Sequence, residues 1–384
     1  MTNLARQIPR PIWHERLRAA HRAAPIAWLT GVRRVGKSTL IADLPDATIL
    51  NCDLPSVVTR LADPEQFLTS VRTPLLVLDE VHQLPDPSRL LKIAADTRPD
   101  LRVIATGSST LAATSKFRDT LTGRKRSVHL VPVLAEELGA FGVDLERRLL
   151  HGGLPNPMLA ERPPVDFYGE WADSFYARDV QELFRVEKRS AFLRLLEILL
   201  RNSSGLVELT SLAREAGLSR PTVGTYLDAL QITHAVTLLR PYHGGGTQEI
   251  THQPKAYAFD TGFVAWANGW SELHAEDRGR LWEHVVLETL LTTSDGPQVH
   301  HWRDKQKREV DFVIPTGRDR VDAFECKWNP DAFDPHALTA FRDRHPKGRD
   351  FVVAPIVGEP YARRFGSRTV TIANAAHLRK LLAG

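Results

Sequence analysis

The stretch Gly31-Val32-Arg33-Arg34-Val35-Gly36-Lys37-Ser38 constrains this chain more than any other, because it fits G-x-x-x-x-G-K-[ST] without departure. It follows the apolar run Ile26–Leu29 and opens a stretch of helical character. That is the strand–loop–helix setting a phosphate-binding loop requires. Glycines at 31 and 36 let the backbone wrap anionic oxygens with its N–H groups, and the helix start beyond adds its dipole. Lys37 is expected to reach the β- and γ-phosphates of a nucleotide, and the Ser38 hydroxyl to bind Mg²⁺. Thr39 completes the expected nucleotide-binding set, and the implied ligands are ATP and Mg²⁺.

Further along, the apolar run Leu75–Leu78 ends in Asp79-Glu80. Buried strands of a parallel sheet read as continuous apolar runs, and ligands gather at their carboxyl ends. Asp79 is therefore expected in the Mg²⁺ shell. Glu80 is expected to activate the attacking water, which marks hydrolysis rather than binding alone. A further strand, "LRVIATGSS" (101–109), ends in Thr106 and Ser108. Either could hydrogen-bond the γ-phosphate or the water, and an ordinary strand-to-loop turn explains them equally well. Arg124, just before the next strand, could reach the γ-phosphate of a neighbouring subunit.

The runs GVRRVGKS, LLVLDE, ATGSS and TGRKRSVHLVPV together resemble the ATPase of a large prokaryotic family. Its members join an AAA-type P-loop ATPase domain to a C-terminal domain of unknown function, DUF4143. The likeness continues through "HGGLPNP" (151–157), "YARDV" (176–180) and "PKAYAFDTGF" (254–263), so it covers nearly the whole chain. It implies an α/β fold with a five-stranded parallel core of the additional-strand, catalytic-glutamate class, working as a homo-oligomer. It names no substrate.

Residues 1–150 are thus read as the ATPase domain and 151–205 as a helical connector. Within the connector Arg178 is a candidate nucleotide sensor, with a surface ion pair to Asp179 or Glu182 as its plainer use. Residues 206–262 have the cadence of a winged helix. Leu209, Leu212 and Ala213 share one helical face, Gly217 turns the chain, and Ser219 caps a second helix with Pro221 in its first turn. A strand from Ala235 to Leu239 leads through His243 and Gly244–Gly246 into "KAYAF". Val223, Tyr226, Leu227 and Leu230 form the apolar stripe of that second helix. Arg220, Thr222, Thr225 and Tyr226 are the candidate DNA contacts, with only one cation among them, and a structural module linking the ATPase to the tail is the other reading.

Residues 275–384 read as helix, three strands, helix, strand, a short strand and a closing helix. In "REVDFVI" (308–314), Val310, Phe312 and Ile314 share a face and leave Asp311 on the other. In "FECKW" (324–328), Glu325 and Lys327 likewise point together, opposite Phe324 and Cys326. Glu283 can point inward from the preceding helix. This spacing resembles the PD-(D/E)xK nuclease superfamily, although Val310 stands where the literal proline would be. The resemblance implies that Asp311 and Glu325 bind Mg²⁺, with Glu283 completing or flanking them, and that Lys327 steadies the reacting phosphate. A salt bridge on a solvated sheet face would also explain the pattern.

The remaining expectations come from composition. The formal net charge of +4 over 384 residues permits a nucleic-acid partner, and basic residues bunch at 116–126 and 341–350. No apolar run approaches the ~18 residues of a membrane span, and the N-terminus lacks the apolar core of a secretory signal. Cys52 and Cys326 make no disulfide framework. A cytoplasmic protein with DNA as a partner and no membrane association is expected.

Overall fold

The computed structural model describes residues 8–42, 44–107, 115–162, 164–181, 188–243, 253–293, 298–366 and 368–383. The chain forms two compact units. One comprises Met1–Val131, Trp171–Glu187 and Ile232–Ala235, and the other Pro132–Glu170, Lys188–Gln231 and Val236–Gly384.

The first unit is built on five parallel strands: β1 (Ile26–Thr30), β2 (Ala47–Asn51), β3 (Leu75–Asp79), β4 (Arg102–Thr106) and β5 (Lys125–His129). Their order across the sheet is β2-β3-β4-β1-β5. The apolar runs explain the interior places of β1 and β3, since a strand covered on both faces has no polar side to show. β1 is buried along its whole length, whereas β5 at the edge shows Lys125, Arg126 and Ser127 to solvent or half-buries them. One face is filled by a cluster containing Trp28, Leu76, Leu78, Leu90, Leu91 and Val103. Within it Trp28 and Phe117 pack with ring centroids 4.7 Å apart. The covering helix Pro87–Thr97 starts where Pro87 sits in the first turn and the Asp86 carboxylate accepts the Arg89 N–H at 3.1 Å. Its stripe of Leu90, Leu91 and Ala94 faces the sheet.

In the second unit, the helices Leu209–Ala216 and Arg220–Ile232 precede a small antiparallel sheet of β6 (Gly205–Leu206), β7 (Val236–Leu239) and β8 (Lys255–Ala258), ordered β6-β8-β7. Glu208 caps the first helix by accepting the N–H groups of Thr210 and Ser211, and Gly217 ends it at φ +68°. The Ser219 hydroxyl accepts the Thr222 N–H at 3.3 Å. The expected loop at Gly244–Gly246 lies outside the described residues.

The rest of this unit is a six-stranded mixed sheet of β9 (His300–Arg303), β10 (Glu309–Gly317), β11 (Arg320–Cys326), β12 (Asp350–Val353), β13 (Tyr361–Phe365) and β14 (Arg368–Ala373). Its order is β13-β14-β12-β11-β10-β9, with β11, β12 and β14 parallel. Two strands, the hairpin β13–β14, stand where one short strand is expected. Strict alternation along β10 also gives way. Its pairing with β9 shifts register between Val310 and Val313, and both of those residues join one core cluster. Phe312 is equally buried, so both faces of β10 are covered.

The glycines of "HGGLP" and the "DTG" stretch belong to a buried lock. Arg148, fully buried, donates to the carbonyl of Val133 at 2.7 Å, the Thr261 hydroxyl at 2.9 Å and Glu288 Oε2 at 2.6 Å. Asp260 accepts the N–H groups of Gly153 at 2.6 Å and Gly262 at 2.9 Å. A Cβ on Gly152 would stand 2.0 Å from Asp260 Oδ1, and one on Gly153 2.4 Å from the Arg148 guanidinium. No side chain fits at either position. Among the described residues no helix is long and apolar enough to cross a membrane.

Candidate functional site

The phosphate-binding loop leaves β1 at Gly31, whose φ is +144° and whose absent Cβ would meet the Leu130 carbonyl oxygen at 2.5 Å. Glycine is therefore required twice over, by dihedral and by space. Val32 and Val35 are buried and anchor the loop from beneath, while Arg33 is half-buried and Arg34, at φ +62°, is exposed. Lys37 opens the helix Lys37–Ala42 and turns its ammonium back on the loop. It donates to the carbonyls of Gly31 at 2.8 Å and Val32 at 3.2 Å. Burial lowers the lysine's pKa, against the pull of Glu80, Asp179 and Asp79. Ser38 and Thr39 lie exposed on the first turn.

Asp79, the last residue of β3, is buried and accepts the Thr106 hydroxyl proton from the end of β4. The same hydroxyl oxygen accepts the Glu80 N–H at 3.0 Å. Thr106 thus fixes the two acids relative to each other, a role different from the contact to the γ-phosphate or the attacking water expected of it or of Ser108. Ser108 lies outside the described residues. Glu80 takes the left-handed conformation, φ +56° and ψ +46°, which swings its side chain out of line with the strand. His82 Nδ1 lies 3.2 Å from Glu80 Oε2, and that hydrogen bond holds the carboxyl below its usual range. Behind the acids, burial and then Asp79 push the Cys52 thiol up to about 12, so it is inert filling. Arg124 is engaged within its own subunit, its Nε donating to Asp96 Oδ1 at 2.6 Å and its Nη2 to Oδ2 at 3.1 Å. Of the two partners expected for Arg178, Glu182 lies outside the described residues and Asp179 is turned to Arg33. Arg178 is exposed, and Asp179 instead approaches Arg33 Nη1 at 3.4 Å.

The second constellation lies on the tail sheet. Cross-strand pairing of Phe312 with Phe324 brings Asp311 and Glu309, just before it, near Glu325 and Lys327, just after Phe324. Lys327 Nζ donates to Glu325 Oε2 at 2.9 Å and stands 4.0 Å from Asp311 Oδ2. That Asp311 oxygen also accepts the Cys326 N–H at 2.8 Å. Glu283, expected among the metal ligands, accepts the Tyr257 hydroxyl at 3.0 Å and lies 3.9 Å from Lys255 Nζ. It flanks the site with its carboxylate already engaged. Burial, reinforced by Asp311, raises Glu283 to about 7 and Glu325 to about 8. Burial works against the charge on Lys255 and Lys327, but the surrounding carboxylates outweigh it and hold both above the usual lysine value.

Three members of this cluster escaped the sequence reading. Glu309 lies two residues before Asp311, and the same-face rule that paired Glu325 with Lys327 would have found it. Lys255 and Tyr257 come from β8, and Lys255 ion-pairs with Glu309 although only 5% of its surface is exposed. The signal for them was a lysine inside the apolar strand "KAYAF". Glu325 Oε1 is buried without a hydrogen-bond partner. Among the described residues no group of three or more His, Cys, Asp or Glu side chains is gathered as a metal would hold them.

On the second helix of the pair, Arg220 is exposed and Thr222 is half-buried, its hydroxyl 2.7 Å from that of Ser219. Thr225 is exposed and donates to the Pro221 carbonyl at 3.2 Å. Tyr226 is a correction. It is buried edge-on against Phe192, 5.4 Å between centroids, because its helical spacing with Val223 and Leu230 places it on the core stripe.

Comparisons with known proteins give three family matches along the chain. Residues 23–139 match the AAA domain family, residues 142–274 a domain of unknown function (DUF8612), and residues 278–370 a domain of unknown function (DUF4143). The Walker-type ATPase PABY2304 of Pyrococcus abyssi is a structural neighbour at 16% identity and TM-score 0.44, over 69% of this chain and 99% of that one. The uncharacterized protein Rv2008c of Mycobacterium tuberculosis and the uncharacterized protein Mb2031c of Mycobacterium bovis are each 31% identical over 81% of this chain and 72% of their own length. The chain carries an AAA-type P-loop ATPase domain followed by DUF4143, and it belongs to the family of these two mycobacterial proteins.

Proposed function

We propose that this protein is a Mg²⁺-dependent ATP hydrolase that works as a homo-oligomeric motor on DNA, with the acid–lysine face of the tail turned to the nucleic acid. Four modules serve this reading: the ATPase at 1–150, a helical connector at 151–205, a winged helix at 206–262 and a nuclease-like domain at 275–384. In the front domain, Ser38 and Asp79 are hard-oxygen donors that suit Mg²⁺, and Glu80 is placed to take a proton from water. Thr106 keeps the two acids in register.

The observation that carries the DNA-facing part is Glu325 Oε1, buried without a partner on the strand beside Asp311. Magnesium is commonly held by one or two carboxylates with water filling the other places, so this pair fits the ion without a third protein ligand. When bound, the ion supplies charge neutralisation and polarisation of a phosphoryl oxygen. Lys327 would then steady a phosphodiester at the same face. The exposed Arg220 offers the helix pair a single phosphate contact.

The test is steady-state ATP hydrolysis with single-stranded, duplex and four-way-junction DNA, at low and at higher salt. Stimulation that fades with salt is the expected result, and identical rates with and without every DNA would overturn the reading. Metal-dependent cuts that vanish in both Asp311→Ala and Lys327→Ala would mark the tail as a nuclease. Strand displacement with intact products would mark a helicase or branch-migration motor. Light scattering with and without nucleotide reports the oligomer, and a monomer throughout would remove any role for Arg124 in a neighbour's site.

A second reading, a nucleotide-dependent switch with an idle tail, is favoured by one observation. Lys255, Lys327 and Arg303 already pair the four tail acids from within, Arg303 Nη1 standing 2.8 Å from Glu309 Oε2.

A further inference from the structure

The helix Val165–Phe175 runs on into a π-helical turn, Tyr176–Val180. Such widened turns are uncommon and recur at functional sites. Here the turn buries Tyr176 and Val180 and leaves Asp179 facing the phosphate-binding loop. The Asp179 side chain is 17% exposed, and its Oδ2 lies 3.4 Å from Arg33 Nη1. Earlier on the same helix, Trp171 donates its indole N–H to the Arg33 carbonyl at 3.1 Å. One helix thus holds Arg33 by both main chain and side chain. Asp179 also acts electrostatically on Lys37, ahead of Asp79 itself, and feels Glu80 in turn. A third carboxylate therefore shares the neighbourhood of Asp79 and Glu80, although it comes from a distant part of the sequence.

We infer that Asp179 is a resident counter-charge of the phosphate-binding loop, which a nucleotide's phosphates must displace from Arg33 on binding. The inference rests on the nucleotide-binding reading of that loop. A carboxylate serves two purposes there. Without a nucleotide it balances two cations held close together on a partly buried loop. With one, it opposes the incoming negative charge, so occupancy of the loop and the hold of the helix on Arg33 are coupled. A unit charge about 8 Å from the phosphates, at an effective dielectric near 20, corresponds to roughly ten- to thirty-fold in affinity before the lost Arg33 contact is subtracted. The net expectation is about tenfold. Asp179 is a positioning residue in this account and touches no reacting atom.

The experiment is titration of the full-length protein with a fluorescent ADP analogue in the presence of Mg²⁺, at low and high salt. Asp179→Asn is expected to lower Kd about tenfold, with the gap from wild type closing as salt rises. Asp179→Glu, which keeps the charge, is expected to bind as wild type does. When Arg33→Gln is added to both proteins, the difference between wild type and Asp179→Asn should persist, because the carboxylate still opposes the phosphates when it has no arginine to hold. An Asp179→Asn variant that melts like wild type but binds equally or more weakly would overturn the inference while leaving the loop's nucleotide binding intact. Loss of folding in Asp179→Asn, together with weaker binding by Asp179→Glu, would also overturn it in favour of a structural role. Failure of the wild type to bind the analogue would overturn both.

Discussion

Lysines with acids around them stand in both units, and they are wired differently. In the phosphate-binding loop, Lys37 donates to backbone carbonyls, while Asp79 and Glu80 are held by Thr106 and His82. Lys37 and these two acids are kept apart, each on a neutral or weakly basic partner, and the ion pair of the loop joins Arg33 to Asp179 instead. In the tail, Lys327 and Lys255 bond directly to carboxylates of the same site. The first arrangement stores separated charge, which suits an anionic ligand. The second has already neutralised most of itself, and ligand binding there must compete with internal ion pairs. Similar side chains thus give a site poised for turnover in one unit and a site that is stable by itself in the other.

Breaking the front site should have the largest effect. Lys37→Ala is expected to take phosphate release to background with circular dichroism unchanged, whereas Lys327→Ala leaves ATP turnover within about twofold of wild type. Normal turnover in Lys37→Ala would sink the assignment of the loop. Glu80→Gln should lower kcat by roughly 10²–10³ while nucleotide still binds, since only proton transfer from water is lost. In the tail the loss should appear as stability. Lys255→Met leaves Glu283 without its cation while Glu309 keeps Arg303, at a cost of about 3–5 kcal/mol in urea unfolding. An unchanged midpoint would mean the pair is solvated.

The comparison also predicts opposite pH behaviour. Glu283 and Glu325, at about 7 and 8, bind protons in the folded tail that the unfolded chain has released above its ordinary value of 4.5. Tail stability should therefore fall as pH rises from about 5 to 8. In the first unit His234 stacks on His129, 3.9 Å between centroids, and burial lowers it to about 4. The unfolded chain binds more protons between that value and 6.5, so this unit should weaken as pH falls through the same region. Segment-resolved hydrogen exchange at about pH 5.5 and about pH 8 would show the crossing, and parallel trends would refute it. The smallest effect should come from Arg124→Ala, whose exposed partner Asp96 is a screened surface contact. Its melting temperature should match wild type, and any fall in turnover would have to come from a neighbouring subunit.

The front site was legible because a phosphate-binding loop is a local device. Glycines, lysine and serine follow one another, and the apolar run before Asp79 announces its own strand end. The five-stranded core was implied by the resemblance to the ATPase family rather than by those runs, and β1–β5 form it. What sequence could not show was contact across distance. Asp179 reaches Arg33 through a helix remote in sequence, and nothing in "YARDV" says which of its charges faces the loop. Arg178 was the natural choice, and the widened turn presents its neighbour. In the tail, the two-residue periodicity found Asp311, Glu325 and Lys327. It misread the burial of β10, where a register shift puts Val310 and Val313 in one core. Lys255 and Tyr257 were invisible as site residues because β8 joins them to the tail only in three dimensions. Tyr226 shows the reverse error, a residue type that suits nucleic acid drawn inward by its helical spacing.

The Arg148 lock bears on how this family can be inherited. Its guanidinium and Thr261 lie within the stretch matched to DUF8612, and Glu288 lies within the stretch matched to DUF4143. The border between those two families therefore runs through a buried ion pair. A gene fusion that grafted the C-terminal piece onto a foreign partner would carry Glu288 away from its arginine and leave both charges stranded. Lineages are expected to pass the two pieces on together, and to recombine at the borders of the pair rather than inside it.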